Sequence, residues 1–430
     1  MILNSIKFAL VLSIAVCSAC SSSVSSYSEA PKAPPATITE TDPEVKTALE
    51  YIAKAPDSTL GYQQLAVVYI RRGRETGDSS YHEKAETAVK RALEIAPDDL
   101  TAKKLNATLL LAFHRFAQAR DLATEMQKDN PTDAFIFGVL TDANAELGIY
   151  DAAATAVQKM VDLRPNSSSY ARVAHIRSLN GEHKGAVEMY KLAARTADPQ
   201  DKEAQSWCLV QLANEYWKYG KFVESEKVLD EALANFPTYH LAEIGKGRVL
   251  AALGKTDEAI KYLTAVNERS PDADISTLLG DIYFKLGNTT ESQKFYQLGE
   301  ELEAGAGEGE AKHMAMLWAN RDHKLDEVLA TMEKEYVRQQ DVYTEDAYAW
   351  ALYKNGRYPE AKEMNKKAMR IDINEPLFFF HAGMIEKALG NNTAAVQMLE
   401  KALKQNPAFD LVQAEAAKTA LAELRSAKSV

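Results

Sequence analysis

Cysteine is nearly absent: the 430 residues hold three, Cys17, Cys20 and Cys208. That excludes a disulfide framework as the source of stability. Positive charge is also scarce. Lys and Arg number 50 against 61 Asp and Glu, for a formal net charge of −11. A chain built to neutralise phosphates leans the other way, so nucleic acid is not expected as a partner. No apolar run approaches the roughly 20 residues that span a bilayer as a helix. The eight histidines are scattered, and none pairs with a His, Cys or carboxylate at zinc-ligand spacing, so no metal is expected. The Gly-rich stretch Gly305 to Gly309 follows no strand and precedes no Lys–Ser/Thr pair in phosphate-loop spacing. It reads as a linker, and no cofactor is expected.

The first residues form a targeting segment. Lys7 gives the positive charge, Phe8 to Val16 the short apolar core, and Ser18 and Ala19 the small residues that follow. The run Cys17-Ser18-Ala19-Cys20 resembles a bacterial lipobox, which makes Cys20 the expected lipidation site. Cys17 departs from that pattern, because Leu or Val is usual there; an ordinary secretory signal cut nearby is the alternative. Residues 1–19 are thus expected to be a lipoprotein-type signal. The Ser- and Pro-rich residues 20–42 are expected to be a flexible tether, since they bury too little apolar area to offset chain entropy. Cys208 is expected in the core.

The prolines carry a period. Pro97, Pro131, Pro165 and Pro199 recur every 34 residues, as do Pro237 and Pro271, and Pro407 lies four such periods beyond Pro271. The intervals before Pro97 and Pro237 are longer by seven and four residues, which read as insertions. The eighth position of each repeat, where two helices are expected to cross closely, is Ala66, Ala107, Thr141, Ala174, Ala213, Gly247, Gly280, Met316, Ala349 and Gly383. The expected left-handed turn reads Gly73, His114, Gly148, Gly181, Gly220, Gly254, Gly287, His323, Gly356 and Gly390. The twentieth position reads Ala85, Ala119, Ala153, Ala186, Ser225, Ala259, Ser292, Val328, Ala361 and Ala395. Between these anchors apolar residues recur at three and four, which is the helical period. Each helix pair then buries one face against the next, as in a solenoid. The eighth repeat is expected to be degenerate, with Met316 and His323 in place of a small residue and a glycine.

This pattern resembles the tetratricopeptide-repeat (TPR) family over about residues 56–407, most closely in Leu212-Ala213-Asn214-Glu215-Tyr216 with Gly220, Ser225, Ala232 and Pro237. The resemblance implies an all-α, right-handed superhelical solenoid of about ten helix-turn-helix repeats with capping helices at both ends. Its expected extent is 43–425, with repeats at roughly 57–407 and the C-terminal capping helix at 410–425. It also implies that the first helices line a concave groove. The residues placed there are Trp207, Asn214, Trp217, Lys218, Arg248, Asp281, Lys285, Trp350, Tyr353 and Lys354, a set in which aromatics alternate with cations. The family's Lys/Asn carboxylate clamp is broken here by Val210 and Arg248.

Among family members, bacterial envelope TPR lipoproteins look nearest. The implied function is a non-enzymatic scaffold that binds protein or peptide segments in the groove. It would be anchored by lipid as an outer-membrane lipoprotein on the periplasmic or surface side, or otherwise be secreted or periplasmic. An alternative is a carbohydrate- or small-ligand-binding envelope lipoprotein, since groove aromatics can stack on sugars.

Overall fold

The computed structural model describes residues 42–304 and 311–426. The expected signal, Cys20, the Gly-rich linker and all of the expected tether but Asp42 lie outside the described residues. Every regular element among the described residues is a helix. α1 (Pro43–Lys54) precedes the repeats. The first five pairs are α2 (Thr59–Thr76) with α3 (Ser80–Ile95), α4 (Leu100–Ala112) with α5 (Phe116–Asp129), and α6 (Ala134–Glu146) with α7 (Tyr150–Leu163), then α8 (Ser167–Leu179) with α9 (His183–Thr196) and α10 (Lys202–Lys218) with α11 (Phe222–Asn235). The next five are α12 (His240–Ala252) with α13 (Thr256–Arg269), α14 (Ala273–Lys285) with α15 (Thr289–Glu303), and α16 (Ala311–Ala319) with α17 (Leu325–Arg338), then α18 (Val342–Lys354) with α19 (Tyr358–Ala368) and α20 (Pro376–Ala388) with α21 (Asn392–Gln405). α22 (Gln413–Ser426) follows them.

The period in proline marks where first helices begin. Proline ends the preceding element, and one or two residues later an Asp or Asn caps the next helix, except after Pro237, where Tyr239 holds the cap position. Asp99, Asp201 and Asp272 each accept a hydrogen bond from a backbone N–H three residues on, those of Ala102, Ala204 and Ile275. Asn166 and Ser169 form a reciprocal capping box.

The small residues set how closely the helices of a pair approach. A Cβ on Gly247 would collide with Leu263, and one on Gly383 would lie 2.7 Å from Leu399 Cγ. All ten residues at the twentieth position are buried. Where that residue is serine, its hydroxyl donates to the backbone carbonyl it packs against: Ser225 to Ala213 and Ser292 to Gly280, both at 2.9 Å. The hydroxyl is therefore satisfied and its burial costs little.

The structure corrects the expected register at two turns. α2 runs past Gly73 to Thr76, and Gly77 takes the left-handed conformation at φ 76°. The insertion in this repeat is absorbed partly as an extra turn of helix. Gly73 is small for another reason, since a Cβ there would lie 2.6 Å from the His82 ring. In the eighth repeat the left-handed residues are Asp322 and Lys324 rather than His323. The backbone N–H of His323 reaches back to Trp318, as that of Lys221 reaches back to Tyr216, so Asp322 is the counterpart of Gly220. One residue earlier in register, the crossing position is Ala315, which is buried, and Met316 sits to its side. Asp tolerates the left-handed region better than most residues, which is how the turn survives without glycine.

Neighbouring first helices pack directly on one another, α2 on α4 and α18 on α20 among them, while second helices pack on first helices. The first helices therefore occupy the inside of the curve. The curve is tight enough for the array to meet itself. His114 presents its carbonyl to Arg338 at 2.8 Å, and the Tyr150 hydroxyl accepts from the Val342 N–H at 2.8 Å. The amide of Asn406 donates to the Trp217 carbonyl at 2.7 Å. Turns of the early repeats thus rest on the inter-repeat loops of the late ones along a continuous seam.

Candidate interaction surface

The inner face begins as a row of first helices whose apolar residues are spent on packing between repeats. What remains to point inward is aromatic, charged or amide. The structure brings most of the ten residues expected there into pairs and stacks within this chain.

On α10, Trp207 and Trp217 are buried in one cluster with Cys208, Leu229 and Val249. The guanidinium of Arg248 lies 4.6 Å from the Trp217 ring centroid and donates to the Asn214 Oδ1 at 2.7 Å. Such a stack is worth about 0.5–1 kcal/mol or more when shielded from water. Lys218 is only 8% exposed, and its ammonium meets the Glu375 carboxylate at 2.7 Å. The positive charge expected to steer a partner is therefore neutralised from inside the chain.

A second group lies on α14, α16 and α18. Asp281 accepts from the Tyr296 hydroxyl at 2.8 Å and pairs with Arg321 at 3.3 Å. Burial, and then the Asp410 carboxylate, push its pKa up to about 7 against the pull of Arg321. Lys285 approaches Glu415 at 3.5 Å, with both side chains about half exposed. The Trp350 indole donates to Asn320 Oδ1 at 3.0 Å, and the same oxygen accepts from Gln413 at 2.7 Å. Trp350 is 3% exposed and stacks on both Tyr353 (4.7 Å, 9°) and His381 (4.2 Å, 15°). Its ring is engaged by this chain, so it offers no free face for a sugar. Lys354 lies 5.0 Å from that ring and pairs with the largely exposed Asp322 at 2.8 Å.

A third group was not expected from the sequence. Arg172 binds Asp142 through two hydrogen bonds, 2.8 and 2.6 Å, with both side chains buried. Glu146 accepts from Gln339 at 3.1 Å, and burial followed by the Asp341 carboxylate raises its pKa to about 8. Leu411, after the last repeat, is buried against Ile275 and Leu279. The first joins neighbouring repeats and the other two join residues far apart in sequence, and no local spacing announces them. The signal that was available is fainter: Trp217-Lys218, Phe284-Lys285 and Tyr353-Lys354 each precede a turn glycine by three and two residues.

No cluster of His, Cys, Asp and Glu suited to a metal ion occurs among the described residues. Nor is any described helix long and apolar enough to cross a membrane.

Two family models match. The Tetratricopeptide repeat-like domain covers residues 163–317, and the Tetratricopeptide repeat covers residues 378–409. A TPR repeat-containing protein of Methanocaldococcus jannaschii is 24% identical over 243 residues, 52% of this chain. The match spans 41% of that relative's own length. Among solved structures, the type IV pilus biogenesis factor PilW is similar at 17% identity and TM-score 0.41, over 46% of this chain and 91% of PilW. YrrB, a TPR protein described as having an unusual peptide-binding site, is similar at 18% identity and TM-score 0.31, over 42% of this chain and 91% of YrrB. PilF of Pseudomonas aeruginosa is similar at 14% identity and TM-score 0.32, over 58% of this chain and 93% of PilF.

Proposed function

The chain belongs to the tetratricopeptide-repeat family, and from that premise we propose that it is a non-enzymatic scaffold that docks other proteins in the bacterial cell envelope. The observation that carries this reading is a set of three aromatic–cation stacks, two on inner first helices and one, Arg321 on Tyr296, between the turn after α16 and the second helix α15. Arg248 on Trp217, Arg321 on Tyr296 and Lys354 on Trp350 repeat the same chemistry along one face. A partner segment with carboxylates and an apolar residue or two complements such a face, because it meets cations on an otherwise acidic molecule.

The ten proposed contacts differ in burial. Trp207, Trp217, Lys218 and Trp350 shape the face from beneath; Asn214, Arg248, Asp281, Tyr353 and Lys354 form its partly open layer, and Lys285 stands at its rim. Affinity capture from detergent-solubilised envelope tests the partner class, and the outcome against it is a chain that brings down no protein in stoichiometric amount.

Location rests on the N-terminal sequence. Lys7, the apolar core and Ser18-Ala19 before Cys20 support a lipoprotein of the outer membrane, facing the periplasm or the surface. Mass spectrometry of the mature N-terminus is expected to find an acylated Cys20. An unmodified chain that begins elsewhere contradicts the anchor and leaves the scaffold reading standing.

A further inference from the structure

The seam shows what one kind of turn in this chain binds. At the end of α10, Trp217-Lys218-Tyr219-Gly220 is covered by the end of α21 and the loop after it. Asn406 donates to the Trp217 carbonyl at 2.7 Å and Gln405 to the Lys218 carbonyl at 3.3 Å. The Gln405 carbonyl comes so near Gly220 that a Cβ there would lie 2.9 Å from it, with Pro407 Cδ at 3.4 Å. Glu375 supplies a carboxylate to Lys218. The docked element is therefore a helix end that runs into Asn-Pro, with a carboxylate at hand.

The end of α14 is a second turn of the same build. Phe284-Lys285-Leu286-Gly287 has aromatic, lysine and glycine in the same places. Its backbone closes the same way, with the N–H of Asn288 bonded to the Tyr283 carbonyl at 2.9 Å as that of Lys221 is to Tyr216 at 3.0 Å. Its glycine has the same left-handed conformation, φ 72° against 66°. Nothing covers it. Phe284 is 57% and Leu286 55% exposed, and a Cβ on Gly287 would meet no atom within 4 Å. The chain also exposes a second element of the docking kind: α5 ends at Asp129 and runs into Asn130-Pro131, with Asp129 and Pro131 both exposed. The loop carries the exposed Asp129 and the turn the half-exposed Lys285, so these two charges are complementary.

We propose that the Phe284–Gly287 turn of one copy docks the Asp129–Pro131 loop of a second copy, extending between chains the seam that each chain makes within itself. Turn and loop are different surfaces, so the contact is head-to-tail and leaves a free turn at one end and a free loop at the other. Such association continues into rings or filaments and does not stop at a symmetric pair.

Sedimentation velocity over a concentration series of the full chain tests this. Wild type is expected to associate progressively. Phe284→Ser with Lys285→Glu removes the turn, and Asp129→Lys with Pro131→Gly removes the loop. Each variant alone is expected to associate about ten-fold or more weakly, with circular dichroism unchanged, because the altered residues are exposed. Mixed together, the two variants retain one intact turn and one intact loop, so a 1:1 dimer that grows no further is expected. A wild type that stays monomeric overturns the proposal. So does a turn variant that associates like wild type, which is also the outcome if only an N-terminal lipid drives association, and so does a mixture that does not pair. None of these results bears on capture of other proteins by the inner face.

Discussion

Lys218, in the last turn of α10, and Glu375, the residue that opens α20, meet at 2.7 Å although they belong to the fifth and tenth repeats. Glu375 also accepts from the Tyr343 hydroxyl at 3.1 Å, so the carboxylate is held from two sides. Removing the ammonium leaves a charge largely shielded from water with one neutral donor. Lys218→Met is expected to cost roughly 2 kcal/mol or more in chemical denaturation. Adding Glu375→Gln is expected to recover much of that loss. A single variant as stable as wild type would show that this pair does not hold the seam. Lys218→Glu would set a third carboxylate beside Glu375 and Glu215, so reversal of this lysine tests the fold before it tests binding.

Two glycines with the same conformation separate backbone strain from the seam. Gly148 and Gly254 have φ of 73° and 75°. A Cβ on Gly148 would collide with the Gln340 carbonyl, whereas one on Gly254 would meet nothing within 4 Å. Gly254→Ala is expected to cost only the left-handed penalty of about 1–2 kcal/mol. Gly148→Ala is expected to cost that and the displacement of the 338–342 loop as well. Equal melting temperatures for the two variants would mean that the loop gives way freely.

Stability should have a maximum in pH. Burial lowers the pKa of His82, His175 and His240 to about 4. Between about 4 and the ordinary histidine value near 6.5 the unfolded chain binds more protons at these sites, so stability rises with pH there. Glu146 and Asp281 work the other way. Their folded pKa values are raised, to about 8 and about 7, so the folded chain binds more protons than the unfolded one and stability falls as pH rises towards those values. Thermal melts across pH 5–9 are expected to peak at about 6.5. Glu146→Gln is expected to flatten the decline on the alkaline side. A decline of unchanged slope in that variant would locate its origin elsewhere.

Much of the repeat was legible because it is local. Proline, the helix cap, the crossing residue and the turn glycine all fall within one period, and each acts on neighbours a few residues away. Gly247 and Ser225 could be assigned to helix crossings from spacing alone. Gly73 and His323 were placed at turns that fall at Gly77 and Asp322, because the period assumes a constant repeat length and the turn shifts locally. The inner face was harder still. That Lys218 points inward follows from the period, but that Glu375 waits opposite it depends on how far the array curves, and curvature is a sum of small rotations at every repeat. Glu146 with Gln339 was illegible for the same reason, whereas Arg172 with Asp142 joins neighbouring repeats and needs no such sum.

The central claim is that the inner first helices receive a partner protein. Hydrogen exchange of the chain, free and with a captured partner, tests it most directly. Slowed exchange is expected in α12, α14, α18 and the turn after α16, which carry Arg248, Asp281, Lys354 and Arg321. Lys354→Glu is expected to weaken capture, with circular dichroism run alongside to verify the fold, since Lys354 itself is largely buried while its ion partner Asp322 is largely exposed. Protection confined to the second helices, with capture indifferent to Lys354→Glu, would contradict the account.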